Sequence, residues 1–322
     1  MLSIVIPVYR NEESLPDLLN ALSATVAEIA REHSTACEVV LVVDGSPDAS
    51  EAILRSRLPE MPFRSKLLVH SRNFGSFAAI RTGLQGGTGQ WFAAISADLQ
   101  EPPDLLVSFL AILESGAADV VVGERRSRDD PRLARTAAWV FWHLYRRFVI
   151  HEMPPGGVDV FACTREVRDQ LLSLREAHSS LVGQLFWIGF RRRAVPYSRR
   201  RRAHGKSAWT VARKVRYMLD SVYSFTDLPI RLLLWGGMAG MVLAFVLGCL
   251  VGLARVIGRI AVPGYAAIVI AVLFFGGLNA LGLGVVGHYA WRTFENTKGR
   301  PGSIVSAHFE FDGSRDGSEG GE

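Results

Sequence analysis

The sequence of 322 residues has only three cysteines, which lie far apart at Cys37, Cys163 and Cys249. Three widely separated cysteines offer neither a disulfide framework nor the paired spacing of a zinc site. A basic leader before the first apolar run is also lacking. That run, at residues 2–6, stops at Pro7 and is typical of a strand rather than of a signal peptide. We therefore expect a reducing compartment and no secretion signal.

Hydrophobic residues make up 49% of the chain, and their excess lies after Arg231. Two apolar segments, at residues 232–254 and 265–291, each exceed the ~20 residues that span a bilayer. The link between them is too short for a domain, so they predict a helical hairpin. Lys and Arg residues are more frequent on the outer flanks of the hairpin than in the link. The positive-inside rule then places both chain ends in the cytoplasm. Glycines in both segments favour helix association and a possible homo-oligomer.

Before this hairpin, strand-like and helix-like segments alternate. Buried-type strands are predicted at residues 2–6, 38–43, 66–69, 91–95 and 119–123. Strands joined by helical crossovers predict an α/β fold with a mostly parallel sheet and helices on both faces. Ligands of such sheets bind beyond the carboxyl ends of the strands. The loops that begin near Asp44, Asn73 and Asp98 lie at that edge.

The polar stretch at residues 96–104 is the centre of the predicted site. It follows the apolar strand at residues 91–95, and strand alternation would place Ser96, Asp98 and Gln100 on one side. Three oxygen-bearing side chains suit a hard divalent cation such as Mg²⁺ or Mn²⁺. The alternative is a polar turn that Asp98 merely caps.

Three basic or aromatic segments allow more than one interpretation. Residues 134–150 predict a helix that either packs on the domain or lies on a membrane surface. The arginine-rich residues 191–201 are typical of a solvated or anionic-lipid-binding stretch, and residues 209–225 of an amphipathic helix. The positive charge of these segments would suit nucleic-acid binding, but the sequence contains no nucleic-acid-binding motif. We therefore expect no nucleic-acid partner. Between these segments, residues 158–161 predict a short strand that contains Asp159.

Five short motifs occur in order along the chain. They are Ile-Pro-Val-Tyr-Arg-Asn-Glu-Glu at residues 6–13, Val-Asp-Gly-Ser at 43–46, Arg-Asn-Phe-Gly at 72–75, Asp-Leu-Gln-Glu-Pro-Pro at 98–103 and Arg-Ala-His-Gly-Lys-Ser at 202–207. With the helix hairpin, this order resembles membrane-anchored inverting glycosyltransferases of family 2. The resemblance is greatest to the polyprenyl-phosphate enzymes, namely bactoprenol glucosyltransferases and dolichol-phosphate mannose synthases, and it runs from residue 2 to about residue 300.

The resemblance implies a GT-A fold with a nucleotide-sugar donor, a UDP- or GDP-hexose. It also implies a polyprenyl-phosphate acceptor, and Mg²⁺ or Mn²⁺ on the diphosphate. It assigns nucleotide-sugar binding to Pro7, Tyr9, Glu12, Asp44, Asn73 and Asp98. It assigns metal binding to Asp98, Gln100 and Ser96, and catalysis to Asp159 and Asp98. Lipid-phosphate or diphosphate binding falls to Arg125, Arg202 and Lys206.

The chain departs from the family pattern at Ser96 and Val43, where a carboxylate often stands. The first departure supports an alternative function, a catalytically degenerate scaffold of a lipid-linked glycan pathway. A processive polysaccharide synthase would need more membrane helices and a Gln-x-x-Arg-Trp motif, whose arginine is missing at residues 184–187. A lipid monophosphate is largely dianionic at neutral pH, so Asp159 is interpreted as orienting the site or as a weak base.

These inferences divide the chain into four parts. A cytoplasmic catalytic domain covers residues 1–205, juxtamembrane amphipathic helices cover 206–231, and two transmembrane helices cover 232–291. A cytoplasmic tail at residues 292–322 is expected to be disordered at its end. The expected partners are the donor, the acceptor and the lipid bilayer, and the expected location is the inner (plasma) membrane as a multi-pass protein.

Overall fold

The structure is a computed structural model that describes residues 1–125, 142–143, 145–147, 149–154, 156–176, 179–200, 211–257 and 264–313. The strands of this part are β1 (Leu2–Val8), β2 (Cys37–Val43), β3 (Arg64–His70), β4 (Trp91–Ala94), β5 (Val120–Arg125), β6 (Phe161–Thr164), β7 (Arg192–Tyr197) and β8 (Val305–Phe311). The helices are α1 (Leu15–His33), α2 (Ser50–Arg57), α3 (Ser76–Gly86), α4 (Leu105–Glu114), α5 (Arg165–Ser173), α6 (Leu181–Trp187), α7 (Val211–Phe225), α8 (Leu228–Val256) and α9 (Tyr265–Thr297), with a 3-10 turn at Leu58–Glu60.

The described strands form one sheet in the order β7-β5-β6-β4-β1-β2-β3-β8. Strand β1 pairs in parallel with β2 and β4, β2 with β3, and β5 with β7. Strand β6 runs antiparallel to β4 and β5, and β8 antiparallel to β3. The predicted α/β fold with a mostly parallel sheet is therefore confirmed, with β6 and β8 as its antiparallel members.

Successive side chains of the central strands point to opposite faces of the sheet, and both faces are apolar and covered by helices. In β2, Val39, Leu41 and Val43 enter one hydrophobic core, while Val40 and Val42 enter the other. Helices α1, α2 and α4 pack on the first core, and α3, α5, α6 and α7 on the second. A strand buried on both faces reads as a continuous apolar run, which is the pattern that predicted these strands.

Two predictions about the edges of the sheet are wrong, and one strand was not predicted. The strand predicted at residues 158–161 begins instead at Phe161, so Asp159 lies in the loop before β6. The arginine-rich residues 191–201 are not a free stretch, because Arg192–Tyr197 forms β7 beside β5. The predicted tail contains β8, whose half-buried Ala307, Phe309 and Phe311 pack on the first core.

The two predicted apolar segments fall on α8 and α9. Within the described residues, one helix segment, Leu228–Leu250, is long and apolar enough to cross a membrane. The two helices lie side by side in opposite directions: a Cβ built at Gly240 would be 3.3 Å from the Phe275 ring, and one at Gly282 would be 3.4 Å from Leu233.

The end of α9 returns to the part of the chain that precedes the hairpin. The buried guanidinium of Arg292 donates from Nη2 to Asp220 Oδ1 at 2.5 Å and from Nη1 to Ser224 Oγ at 3.0 Å, which joins α9 to α7. Beyond α9, Ser71 N donates to Ile304 O at 3.0 Å and β8 then pairs with β3.

Candidate active site

Four loops meet at the carboxyl edge of β1, β2, β3 and β4, where the sequence predicted the site. The loop after β1 contacts the loop after β2, because Arg10 N donates to Ser46 Oγ at 2.7 Å. It also contacts the loop after β4, because Ser14 Oγ donates to Ala97 O at 3.0 Å. These hydrogen bonds join segments far apart in sequence into one surface.

Asp44 holds the loop after β3 rather than presenting its carboxylate to solvent. Its side chain is 3% exposed, and it accepts hydrogen bonds of 2.8 Å from His70 Nδ1, Phe74 N and Gly75 N. Burial alone would raise the pKa of Asp44, but these three donors outweigh it and hold the pKa below its ordinary value. Asp44 therefore stabilises the loop after β3, which is part of the predicted nucleotide pocket, through buried hydrogen bonds. Asn73 lies exposed on that loop.

Gly45 allows the loops after β2 and β3 to approach closely. Its φ is +56°, and a Cβ there would lie 2.3 Å from the backbone carbon of Arg72. Gly116 has a similar φ of +66° but no heavy atom within 4 Å of a Cβ, so it is a matched control.

We expect Gly116→Ala to lower the free energy of unfolding by about 1 kcal/mol, the cost of a left-handed alanine. Gly45→Ala should cost about 2 kcal/mol more, because backbone must move, and should weaken nucleotide binding. Thermal unfolding and nucleotide titration of both variants measure the difference, and equal behaviour would contradict it.

The remaining residues predicted to bind nucleotide surround the loop after β1. Pro7 and Tyr9 are half-buried, and Glu12 is exposed with Oε2 accepting from Ala49 N at 2.9 Å. Beside them is a pocket of about 250 Å³. It is lined by Arg10, Asn11, Glu12, Glu13, Ser14, Pro47 and Asp48.

The loop after β4 is a turn, which corrects one step of the sequence argument. Strand β4 ends at Ala94, so strand alternation cannot align Ser96 with Gln100. The turn is tight enough that Leu99 has a φ of +55°. Ser96 nevertheless meets both Asp98 and Glu101. Its Oγ lies 2.8 Å from Asp98 Oδ1 and within hydrogen-bond distance of Glu101 Oε2, and its one hydroxyl hydrogen can be donated to either carboxylate.

Gln100 faces the segment that follows β7. Its Oε1 accepts from Arg199 Nη2 at 2.8 Å, and its Nε2 donates to Arg200 O at 3.3 Å. Arg199 Nε also lies 3.4 Å from Glu101 Oε1. Arg199 is therefore a residue of the site, and its interpretation as part of a solvated or lipid-binding stretch is wrong.

Glu101 is the buried acid that sequence reasoning missed. It is 0% exposed, and its Oε1 accepts no hydrogen bond within the described chain. Burial and the neighbouring Asp159 raise the pKa of Glu101 to about 7, with Asp98 adding to the rise and Ser96 and Arg199 opposing it. The motif contains this residue, but its burial depends on β7, which the sequence pattern did not indicate.

Asp159 is held by two side chains from β5 and β7. Arg125 Nε donates to Asp159 Oδ2 at 2.7 Å, Arg125 Nη2 donates to the same oxygen, and Tyr197 Oη donates to it at 3.0 Å. Burial and the nearby carboxylates raise the pKa of Tyr197, so its hydroxyl stays protonated and donates. The side chain of Arg125 is 7% exposed, so in this structure it orients Asp159 rather than reaching into solvent.

Asp98 and Ser96 are two of the residues that the sequence predicted to hold a metal ion. Within the described ranges, no three His, Cys, Asp or Glu side chains are grouped as a complete site. Carboxylate, hydroxyl and amide oxygens are nevertheless the donors that Mg²⁺ and Mn²⁺ prefer, and Mg²⁺ is commonly bound by one or two carboxylates together with substrate phosphates. These residues therefore fit an ion that a diphosphate completes. Arg202 and Lys206, the predicted phosphate ligands, lie outside the described residues.

The contacts of Arg199 predict a clear effect of its loss. Arg199→Ala removes the hydrogen bond to Gln100 and leaves buried Glu101 without its cation, so we expect activity to fall by about 10- to 100-fold. The matched control is Arg193→Ala, because Arg193 is exposed on the neighbouring strand β7 and should change transfer less than twofold. Equal losses in the two variants would mean that this segment contributes only diffuse positive charge.

An α/β sheet that gathers carboxylates and guanidinium groups at the carboxyl edge of its strands is typical of enzymes with phosphate-bearing substrates. Residues 3–173 match the family model Glycosyl transferase family 2, and the chain belongs to that family of glycosyltransferases. The sheet described above is accordingly a GT-A-like α/β fold.

Curated relatives match along nearly the whole chain. A prophage bactoprenol glucosyl transferase homolog of Escherichia coli (strain K12) is 30% identical over 94% of this chain and 98% of its own. The bactoprenol glucosyl transferase of Shigella phage SfX is 29% identical over 95% and 99%. Among solved structures, glucosyl-3-phosphoglycerate synthase from Mycobacterium tuberculosis with Mn²⁺, UDP and glucosyl-3-phosphoglycerate is 14% identical. It has a TM-score of 0.45 over 69% of this chain and 77% of that chain.

Proposed function

We propose that this glycosyltransferase moves a sugar, with inversion, from a UDP- or GDP-hexose to a polyprenyl phosphate at the cytoplasmic face of the membrane. The product is a polyprenyl-phosphate sugar. The observation that carries the proposal is the cluster of Asp98, Glu101 and Asp159 with Arg125 and Arg199 at the carboxyl edge. The names of full-length relatives, bactoprenol glucosyl transferases, support the acceptor.

The donor end of the site is the loop at Asp98. The leaving group is a nucleoside diphosphate, so negative charge grows on its phosphate oxygens in the transition state. Asp98, Gln100 and Ser96 would hold Mg²⁺ or Mn²⁺, which when bound supplies positive charge to the diphosphate. Arg199 fixes the amide of Gln100 from behind. The nucleotide itself would lie along Pro7, Tyr9, Glu12, Asn73 and the loop that Asp44 holds.

The acceptor end of the site is the loop at Asp159. A lipid monophosphate is largely dianionic at neutral pH, since the second pKa of a phosphomonoester is about 6. Such a nucleophile needs orientation and charge balance more than deprotonation. Asp159 sets the orientation, because Arg125 and Tyr197 fix its Oδ2. Arg202 and Lys206 would balance the phosphate charge, while Arg125 would act through Asp159.

Membrane attachment would come from α8 and α9 as a hairpin. Strand β8 pairs with β3, and Arg292 joins the end of α9 to α7, so the chain before α8 and the chain after α9 share one side. A chain that leaves and regains the same side must cross a membrane an even number of times. We propose on this basis a multi-pass topology, and the excess of Lys and Arg outside the hairpin would place the catalytic domain and both ends in the cytoplasm.

The test is sugar transfer by membranes that contain the full chain. Membranes are incubated with polyprenyl phosphate, Mn²⁺ or Mg²⁺, and each of a panel of labelled UDP- and GDP-hexoses, and lipid-linked label is extracted. We expect one donor to give an acid-labile lipid product, with membranes that carry the Asp98→Asn chain as the blank. A wild-type chain that transfers no sugar from any donor would favour the degenerate scaffold.

A further inference from the structure

A chain of hydrogen-bonded side chains connects the segment after α9 with the carboxyl edge of the sheet. Ser303 Oγ lies 2.7 Å from Thr82 Oγ1, Thr82 Oγ1 lies 2.9 Å from His70 Nε2, and His70 Nδ1 lies 2.8 Å from Asp44 Oδ1. We call these four residues the Ser303 relay. They come from the β8 entry, from α3, from β3 and from the end of β2, so the relay joins four elements that are distant in sequence.

The hydrogens of the relay can all point one way. An ionised Asp44 only accepts, so His70 Nδ1 carries the proton that it donates. In the neutral imidazole His70 Nε2 then accepts from the Thr82 hydroxyl, whose oxygen is left to accept from Ser303. A chain of aligned donors polarises each of its members, so the loss of one bond weakens the others.

Burial makes each bond of the relay hard to replace with water. His70 and Asp44 are each 2% exposed and Thr82 is 7% exposed. Ser303 is half-buried and is brought to Thr82 by the backbone bond between Ser71 N and Ile304 O. A buried acceptor that loses its donor keeps the full desolvation cost of burial. Loss of one hydrogen bond should therefore weaken the interactions at the other end of the relay.

The far end is the loop after β3. Both oxygens of Asp44 are in use there, Oδ1 accepting from Phe74 N and Oδ2 from Gly75 N, each at 2.8 Å. Gly75 precedes α3, the helix that carries Thr82, so the relay closes a ring around the start of that helix.

We propose that Ser303, Thr82 and His70 are positioning residues for the nucleotide-sugar donor, and that they fix the loop at Phe74 and Gly75 through Asp44. The segment that follows α9 is then part of the donor site and not only of the membrane anchor. The inference rests on the proposed function, because that function is what makes this loop a nucleotide-binding loop.

Ser303→Ala breaks the relay at its outer end, and Ser306→Ala is its matched control. Ser306 lies three residues further on and donates to the backbone Val69 O at 3.0 Å, so its loss removes one hydrogen bond of the same strand pairing without touching the relay. Thr82→Val removes the central hydroxyl with little change of shape, and Thr82→Ser restores it.

Two readouts on the full chain in detergent test the proposal. Hydrogen exchange at the amides of residues 74–76 should be faster in Ser303→Ala and Thr82→Val than in wild type, Thr82→Ser or Ser306→Ala. The Kd for UDP or GDP with Mn²⁺ and the KM for the donor should rise about fivefold with the loss of one such bond, at unchanged acceptor KM.

Three results would contradict either the positioning role of the relay or the proposed function. Equal effects of Ser303→Ala and Ser306→Ala, or an effect on acceptor KM with none on donor KM, would overturn the relay. If the wild type binds neither nucleotide, the proposed function is contradicted. If hydrogen exchange at residues 74–76 still depends on Ser303 in that case, the claim that the relay fixes this loop remains supported.

Discussion

Replacing Asp98 with asparagine should abolish sugar transfer and leave the fold intact. Asp98 Oδ1 accepts from Ser96 Oγ at 2.8 Å and from Gln100 N at 3.2 Å, so asparagine keeps the shape of the turn and removes its charge. Ser96 stands where the family often has a second carboxylate, so in the proposed metal site Asp98 would be the main charged ligand. We expect transfer to fall by about 10³-fold or more.

The control for this variant is Asp104→Asn, six residues along the same loop. Asp104 is exposed at the start of α4 and its side chain makes no capping hydrogen bond, so its loss should change transfer less than twofold. Ser96→Ala removes only a hydroxyl and should cost about tenfold, the loss of a hydrogen bond to charged groups.

Calorimetry with Mn²⁺ gives a readout that does not depend on turnover. Wild type should bind Mn²⁺ weakly alone and more tightly with nucleotide, and the nucleotide should gain the same factor from Mn²⁺. Asp98→Asn should lose this coupling, whereas Ser96→Asp should tighten Mn²⁺ binding without nucleotide. Tight Mn²⁺ binding by nucleotide-free wild type, or an active Asp98→Asn chain, would show that other groups hold the ion.

The sequence predicted the catalytic sheet well where its signal is local. Each of strands β1 to β5 contains an apolar run because both faces of the sheet are covered, and the loops after β2, β3 and β4 lie at one edge, as expected. The meeting of these loops at one edge follows from strand order alone. The placement of Asp159 in a strand was wrong, because β6 is short and begins at Phe161, three residues after the predicted start.

The outer strands were missed for different reasons. Strand β7 is Arg-Arg-Ala-Val-Pro-Tyr, and its charges resemble a solvated stretch although it pairs with β5. Strand β8 did carry a signal, because Val-Ser-Ala-His-Phe-Glu-Phe alternates apolar and polar residues with the period of two that a strand requires. Because this segment follows the hairpin, it was assigned to the tail and not to the sheet.

The contacts that complete the site could not be predicted from the sequence. Arg199 and Glu101 are 98 residues apart, and Ser303 and Thr82 are 221 apart, so only the folded sheet brings them together. No residue type or spacing distinguishes Arg199 from its neighbours in the arginine-rich segment. Burial of Glu101 is likewise a property of the packed loops and of β7 rather than of its motif.

Replacing Asp159 with asparagine should lower kcat by about 100-fold and preserve the shape of the pH profile. The variant leaves the Arg125 guanidinium, which is 7% exposed, without its carboxylate, and breaking such a pair lowers the free energy of unfolding by about 3–5 kcal/mol when it is fully buried. Asp159 is 27% exposed, so we expect the lower end of that range. The unpaired Arg125 would then turn to a substrate phosphate and misplace it.

The pH profile separates the two roles that Asp159 can have. If Asp159 only orients the site, the variant keeps the wild-type dependence of kcat on pH at a lower level, because the acceptor phosphate supplies its own dianion. If Asp159 is a general base, the limb that reports its ionisation disappears from the profile.

Two further variants control for the hydrogen bonds around Asp159. Tyr197→Phe removes only the 3.0 Å bond to Oδ2 and should cost about fivefold. Arg125→Ala combined with Asp159→Asn should be far less damaging than the product of the single effects, since the second change removes a charge that the first has already unpaired. Independent, multiplicative effects in this double variant would mean that Arg125 binds a substrate phosphate directly, and that its contact with Asp159 is incidental.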